Sequence, residues 1–509
     1  MTTPTTAPSK TGGTDNGRDS GGHGRGPSGE RAAPRRPGRL LAVLLAAQFM
    51  AVLDVFIVNV AAPTIRTELN ASGAGLQLVV AGYTVAYAVL LITGARLGER
   101  FGHRRVHLAG LALFTVASLG CGLSQDTGQL IAFRLIQGAG SAVMIPQVLS
   151  LIQRTFTGEG RVRALSAYSA VLAVGAAAGQ VVGGVLVSAD LFGSGWRPVF
   201  LVNVPIGLAL LVVGARLLPR DSGTAGQRAR GFDLPGLVLL GAAVSLCTVP
   251  LVLGQEQDWP LWSLLSLGSS AVLFAAFVAY EARLARRGGT PLIAPRVLRA
   301  PGIGRAATRI LLAMAVNAGY LFTMALHFQS GLGHSALRTG LTFVASATAF
   351  GVVGLTWRRW PERLRGVLIP GGFVVAAVSL AAVGLTLRGG EAGGFWTGDG
   401  GLAMYVAMVG VGAGLALGFS PTLTGALATV SQEDAADASG LLATVTQLGQ
   451  VVGVAAFGTL FLNRLDDAGG AADVTTAAQA HADALLICSF ALAITAAAAA
   501  VSGLVRVRR

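Results

Sequence analysis

Two charges stand where charge is costly. Asp54 lies fourteen residues into the apolar run that begins at Leu40, and Arg134 lies about five residues into a later one. At 1.5 Å per helical residue Asp54 would sit about 21 Å deep, a little past the midplane of a hydrocarbon core about 30 Å thick. Of the 24 acids in the chain it is the one that falls so deep in an apolar run. Ionisable groups in that position are expensive and mark ion or proton pathways. Arg134 falls in the same half of the bilayer, so the two can pair directly, through water, or through Gln137 one turn further along. A carboxylate so held can take up and release a proton or a cation when its surroundings rearrange; a purely structural ion pair is the alternative reading.

Other chemistry finds little support. His103 and His107 are four apart, but they stand in an Arg-rich turn with no carboxylate nearby. Cys121, Cys247 and Cys488 have no metal-ligand spacing and read as small buried hydrophobes. No nucleophile, base and metal constellation appears, so neither an enzyme nor a metal or cofactor site is expected.

The elements that must carry these residues follow from composition. The chain has 509 residues, 53% hydrophobic and only 12% charged, against about 25% charged in a soluble domain. That is more apolar surface than one aqueous fold can hide. Apolar runs of about 20 residues recur fourteen times between 40–62 and 484–505, including 129–151, 164–187 and 233–253. Each must be helical, because lipid offers the backbone no partner. Residues 1–38 are rich in Gly, Pro, Thr and Arg and read as a disordered cytoplasmic tail; 506–509 form a short basic one.

A net charge of +14 would suggest nucleic acid in a soluble protein, but its distribution reports topology. With the N-terminus inside, 31 of the 38 basic residues fall on the cytoplasmic side, and Arg66, Arg197, Arg338, Arg388 and Arg464 fall outside. The expected arrangement is all-α: a six-helix bundle at 39–217, an inserted two-helix segment with linkers at 218–302, and a second six-helix bundle at 303–505. Two such halves with a site between them suit a secondary transporter. The run VGAAAGQVVGG places Gly175, Gly179 and Gly183 on one helix face, with Gly184 beside them, a close-packing stripe. Gly410, Gly414 and Gly418, and Gly449 and Gly453, repeat the device.

Several segments, in order, carry a specific resemblance. LDVFIVNVAAPTI (53–65), RLGERFGHRR (96–105), RLIQGAGSAVMIP (134–146), the glycine run of the fifth span, WRPVFLVNVPIG (196–207), FQSGLGHSALRTGL (328–341) and SGLLATVTQLGQVVGVA (439–455) are similar to segments of one family. The chain resembles the drug/proton antiporters of the major facilitator superfamily, in the branch with fourteen helices, over nearly everything after residue 40. Glu99 stands where Asp is usual and Gln180 where Pro is usual.

The resemblance implies a proton-coupled exporter of amphipathic, drug- or antibiotic-like molecules in the cytoplasmic membrane, working by alternating access as a monomer. Its partners would be a small-molecule substrate, protons and the lipid bilayer, with no nucleic acid. Asp54 would couple the proton and first meet a cationic substrate, tuned by Arg134 and Gln137. Glu99, Arg100, Gly102, Arg104 and Arg105 would form a cytoplasmic gate. Gly175, Gly179 and Gly183 would let the halves rock, with Gly184 completing the helix-packing antiporter motif, and Gln147, Asn317 and Gln447 would line the cavity beside Asp54. Absence of a second deep acid favours a narrow or uncharged substrate. Dedicated export of one endogenous metabolite or self-made antibiotic is the nearest alternative, and proton-coupled import a weaker one.

Overall fold

The computed structural model describes residues 37–219, 233–254, 259–289, 291–293, 295–388, 401–430, 435–467 and 474–501. Most of both expected tails, 1–38 and 506–509, therefore lies outside the described residues.

Fourteen long helices follow one another: α1 (Pro37–Glu68), α2 (Gly73–Phe101), α3 (His103–Leu123), α4 (Thr127–Thr155), α5 (Gly158–Ala189), α6 (Pro198–Leu217), α7 (Leu234–Leu253), α8 (Leu261–Arg286), α9 (Ile303–Leu326), α10 (Ala336–Thr356), α11 (Arg365–Arg388), α12 (Leu402–Ala428), α13 (Ala435–Asp467) and α14 (Val474–Val501). Thirteen helices among the described residues are long and apolar enough to cross a membrane. The other, α7, has a shorter apolar stretch, Leu234–Pro250. Most helices extend past the expected apolar runs, α1 by several residues at its end. Hydropathy marks only the part that meets lipid tails, whereas the hydrogen-bond ladder continues into the interface.

Side-chain caps set several starts. Ser72 accepts from the Gly75 N–H at 3.0 Å, Asp126 from Gln129 at 2.8 Å, Asp233 from Gly236 at 2.9 Å and Ser335 from Arg338 at 3.2 Å. Each oxygen satisfies a donor that the first helical turn leaves open. Between α2 and α3 the chain turns at Gly102, whose φ of 97° is a conformation other residues avoid.

Packing pairs α2 with α4, α3 with α4 and α6, and α1 with α5; further along, α9 pairs with α13, α11 with α12 and α14, and α10 with α12. Two seams join these groups, α5 against α10 and α2 against α13. The α7–α8 hairpin rests on the second seam through α7, which touches both α2 and α13. It is tied there by buried polar contacts. Arg96 of α2 donates to the carbonyls of Pro291 and Leu292, Glu281 of α8 accepts from the Ile293 N–H at 3.0 Å, and Tyr280 donates to Asp233 at 2.9 Å.

The glycine stripe has partners that spacing alone did not reveal. Gly175, Gly179 and Gly183 all face α1: a β-carbon at Gly179 would lie 2.9 Å from the Leu53 carbonyl oxygen, and one at Gly183 3.0 Å from that of Ile57. Gly184 alone points across to α10, where a β-carbon would come within 2.6 Å of the Ala336 oxygen. Gly340 returns the contact from α10 onto the Gln180 carbonyl. Three glycines thus fasten α5 to α1, and Gly184 with Gly340 makes the seam with α10. Gly414 packs on α11 and Gly449 and Gly453 on α9 in the same manner.

Candidate functional site

Asp54 is wholly buried, and five helices converge around it. Its Oδ2 accepts from Arg134 Nη1 of α4 at 2.6 Å, and its Oδ1 accepts from Gln137 Nε2 of α4 and Asn203 Nδ2 of α6, both at 2.8 Å. Gln137 also donates to Ser118 of α3 at 2.8 Å, and its Oε1 accepts a second bond from Arg134 at 2.7 Å. Arg134 Nε donates to the Val79 carbonyl of α2 at 3.1 Å. The guanidinium lies 4.7 Å from the ring centroid of Tyr83 and 5.6 Å from that of Phe200. Taking two charges out of water costs several kcal/mol each and is offset only when the pair is close and its remaining hydrogen-bonding capacity is met. Here most of that capacity is met.

Asn203 is the member of this network that sequence reasoning missed. It stands at a break where α6 divides into Pro198–Leu201 and Asn203–Leu217. The available signal was an uncharged carboxamide in an apolar span followed by Pro205, which cannot continue the hydrogen-bond ladder.

Beside the network lies a cavity of about 870 Å³, lined by α1, α2, α4, α5, α9, α10, α12 and α13. One end reaches Trp357, Arg358, Arg359 and Thr424; the other stops at Phe56, Gln180 and Phe343. Beyond that end the seams are closed. Gln329 donates to the Val60 carbonyl at 2.8 Å, the Leu337 N–H to Ser188 Oγ at 2.9 Å, and Gln77 to Thr459 at 3.1 Å. The cavity is thus open at one end of the helices and shut at the other.

Asn317 and Gln447 line this cavity. Asp54 does not: Ala51, Val52 and Val55 of the same helix form the wall, and Tyr83 touches both cavity and ion pair. Gln147 is a second correction. It is fully buried between α2, α3 and α4, donating to the Gly94 carbonyl at 2.7 Å and pairing with His103 Nδ1 at 2.7 Å. Its long polar side chain serves helix packing, as does His107, which pairs with the Met144 carbonyl at 3.3 Å.

The expected gate residues cluster at the α2–α3 turn. Arg104 donates to the Ala215 carbonyl in the last turn of α6 at 2.6 Å, where a cation meets the negative end of a helix dipole. Arg100 lies 5.4 Å from the Phe101 ring. Glu99 is exposed and makes no ion pair among the described residues.

A multi-pass helical protein with a buried charge network beside a one-ended cavity has the architecture of a membrane transporter. Residues 44–454 match the family model of the Major Facilitator Superfamily, and the chain belongs to that family. It is 39% identical over 447 residues, 87% of this chain and 76% of the other, to a probable actinorhodin transporter of Streptomyces coelicolor. It is 36% identical to a cephamycin export protein of Amycolatopsis lactamdurans, covering 89% of this chain and 90% of that one. Among solved structures it resembles a bacterial homologue of the human lysosomal transporter Spinster, with a TM-score of 0.63 at 18% identity over 93% and 97% of the two chains. At that identity the likeness speaks for the fold.

Proposed function

We propose that this protein exports antibiotic-like small molecules across the cell membrane by alternating access, driven by protons moving inward. The observation that carries the reading is the large cavity, open at one end, against whose wall Tyr83 connects to the buried Asp54–Arg134 pair. The export names of the relatives support it, and the positive-inside charge pattern favours a cytoplasmic side for the open end and both termini.

In this mechanism substrate enters from the cytoplasm while the far seams are shut. Asp54, having released its proton to the cytoplasm, is charged and held by Arg134 in this state. With substrate bound, the α5–α10 and α2–α13 seams part on the outer side as the inner side closes; a proton from outside then neutralises Asp54, the freed guanidinium shifts against Tyr83 and hence the cavity wall, and the chain returns to the inward-open state, where the proton leaves. Residues 39–217 and 303–505 act as the two moving bundles and 218–302 as an inserted hairpin with its linkers. Asp54, Arg134 and Gln137, joined by Asn203, are the coupling residues; Glu99, Arg100, Gly102, Arg104 and Arg105 form the cytoplasmic gate. The chain works as a monomer and carries out no covalent chemistry.

Cells producing the protein are expected to gain resistance to members of an aromatic antibiotic panel, and Asp54→Asn to abolish the gain while the protein still reaches the membrane. In proteoliposomes holding a pH-sensitive dye, the same substitution is expected to stop substrate-dependent proton movement. Resistance and proton flux that persist in Asp54→Asn would remove that residue from coupling.

A further inference from the structure

The cavity wall carries charge of one sign. Among the described residues that line it, the ionisable groups other than tyrosines are Arg358 and Arg359, both at the open end. Among the described residues no carboxylate lines the space: Asp54 is wholly buried and occupied by three donors. An organic cation entering here would pass two arginines and shed much of its hydration with no counter-charge among the described lining residues to receive it. That cost runs to several kcal/mol.

Aromatic walls can compensate a cation, but by about 0.5–2 kcal/mol per ring. Two of the rings here already carry guanidinium groups. Arg134 lies over Tyr83 at 4.7 Å and Arg358 over Trp357 at 5.6 Å. What remains, including Tyr87, Phe343, Phe350 and Phe419, offers flat apolar faces.

The polar groups of the wall point to hydrogen bonding. Gln180 is 1% exposed, and neither its Oε1 nor its Nε2 has a partner among the described residues; Gln48 Oε1 is likewise unpartnered. Both line the cavity. A buried carboxamide left without partners costs about 1–3 kcal/mol, which a ligand that satisfies it recovers on binding. Gln180 lies at the deep end of the cavity, where a small shift of the wall would offer its N–H₂ to a carbonyl or carboxylate and its oxygen to a hydroxyl.

We infer that the cavity selects uncharged or anionic planar aromatic molecules bearing carbonyl and hydroxyl groups, with Gln180 as their polar anchor and Arg358 and Arg359 favouring entry of the anion. This rests on the exporter reading above and gives it a substrate class.

Three fluorescent probes that differ only in one substituent test it: anthracenecarboxylate, anthracenemethanol and anthracenemethylammonium, measured by fluorescence anisotropy with the purified full-length chain. The carboxylate and the alcohol are expected to bind, and the ammonium at least about tenfold more weakly, a difference of about 1.4 kcal/mol. Gln180→Leu is expected to weaken the first two by roughly tenfold, the loss of a buried hydrogen bond. Gln180→Glu supplies the missing carboxylate and is expected to invert the order in favour of the ammonium, which also shows that substitution there leaves a folded site. Joint replacement of Arg358 and Arg359 by glutamine is expected to bring the carboxylate down towards the alcohol. The inference is overturned if the ammonium binds as well as the carboxylate, if Gln180→Leu changes nothing, or if none of the probes binds. These are binding measurements, so failure of the exporter reading, an absence of resistance in producing cells, registers separately.

Discussion

Arg134→Met is expected to cost the fold about 3–5 kcal/mol, the penalty for leaving a buried charge without its partner. Asp54 would keep the donors Gln137 and Asn203, but a carboxylate with no exposed surface would lose its one countercharge. Asp54→Asn should cost less, because the amide oxygen still accepts and Arg134 retains Gln137, the Val79 carbonyl and two aromatic faces. The double variant should recover much of the deficit of Arg134→Met, since two neutral groups replace a lone charge. Denaturation of the four proteins in detergent closes a thermodynamic cycle whose coupling term measures the pair. Additive effects would show that the pair contributes nothing beyond its separate members. A stable double variant that cannot move protons would separate the structural share of the pair from its coupling role.

Gly184→Val is expected to abolish transport while the protein remains folded. Its first added carbon would lie 2.6 Å from the Ala336 oxygen and 2.7 Å from the Leu337 Cα, both backbone atoms that cannot rotate away. The clash arises only when α5 and α10 meet, so the helices can relieve it by staying apart at the shut end. Overpacking of this kind costs about 1–3 kcal/mol, enough to shift a balanced two-state equilibrium by roughly 5- to 150-fold. Cysteines placed at Ser188 and Leu337, neighbours across the seam, report its closure by disulfide formation once Cys121, Cys247 and Cys488 have been replaced. Cross-linking should be fast in the parent and slow in Gly184→Val. Equal rates with intact transport would show that the seam does not close through this glycine.

The helices were legible because lipid leaves the backbone one way to satisfy itself, so hydropathy and span coincide. Asp54 and Arg134 were legible for a related reason: charge in an apolar run is too costly to be incidental. Asn203 was not, since a neutral carboxamide is affordable in many helical positions and only the converging geometry of α1, α4 and α6 shows its task. Spacing revealed that α5 has a smooth face but not which helix lies against it, and Gly175, Gly179 and Gly183 proved to belong to α1. Gln147 and Gln180 illustrate the same limit from opposite sides. Both are glutamines in apolar helices; one is consumed by His103 and Gly94 between helices, and the other, noticed only as a missing proline, lines the cavity with no partner among the described residues. Residue type cannot separate them, because the difference lies in a rotation about the helix axis relative to neighbours far away in the chain.

The α5–α10 seam is built from backbone atoms meeting at Gly184 and Gly340, whereas the cavity is walled by side chains. These two surfaces respond to mutation in different ways. Exchange of a glutamine or a phenylalanine in the wall alters what fits and leaves the meeting of α5 with α10 untouched. A β-carbon at either glycine acts on the meeting itself, whatever the cargo. Single substitutions in the wall can therefore change which compounds fit while the meeting of the two helices is left as it is, and the two properties can be altered one at a time.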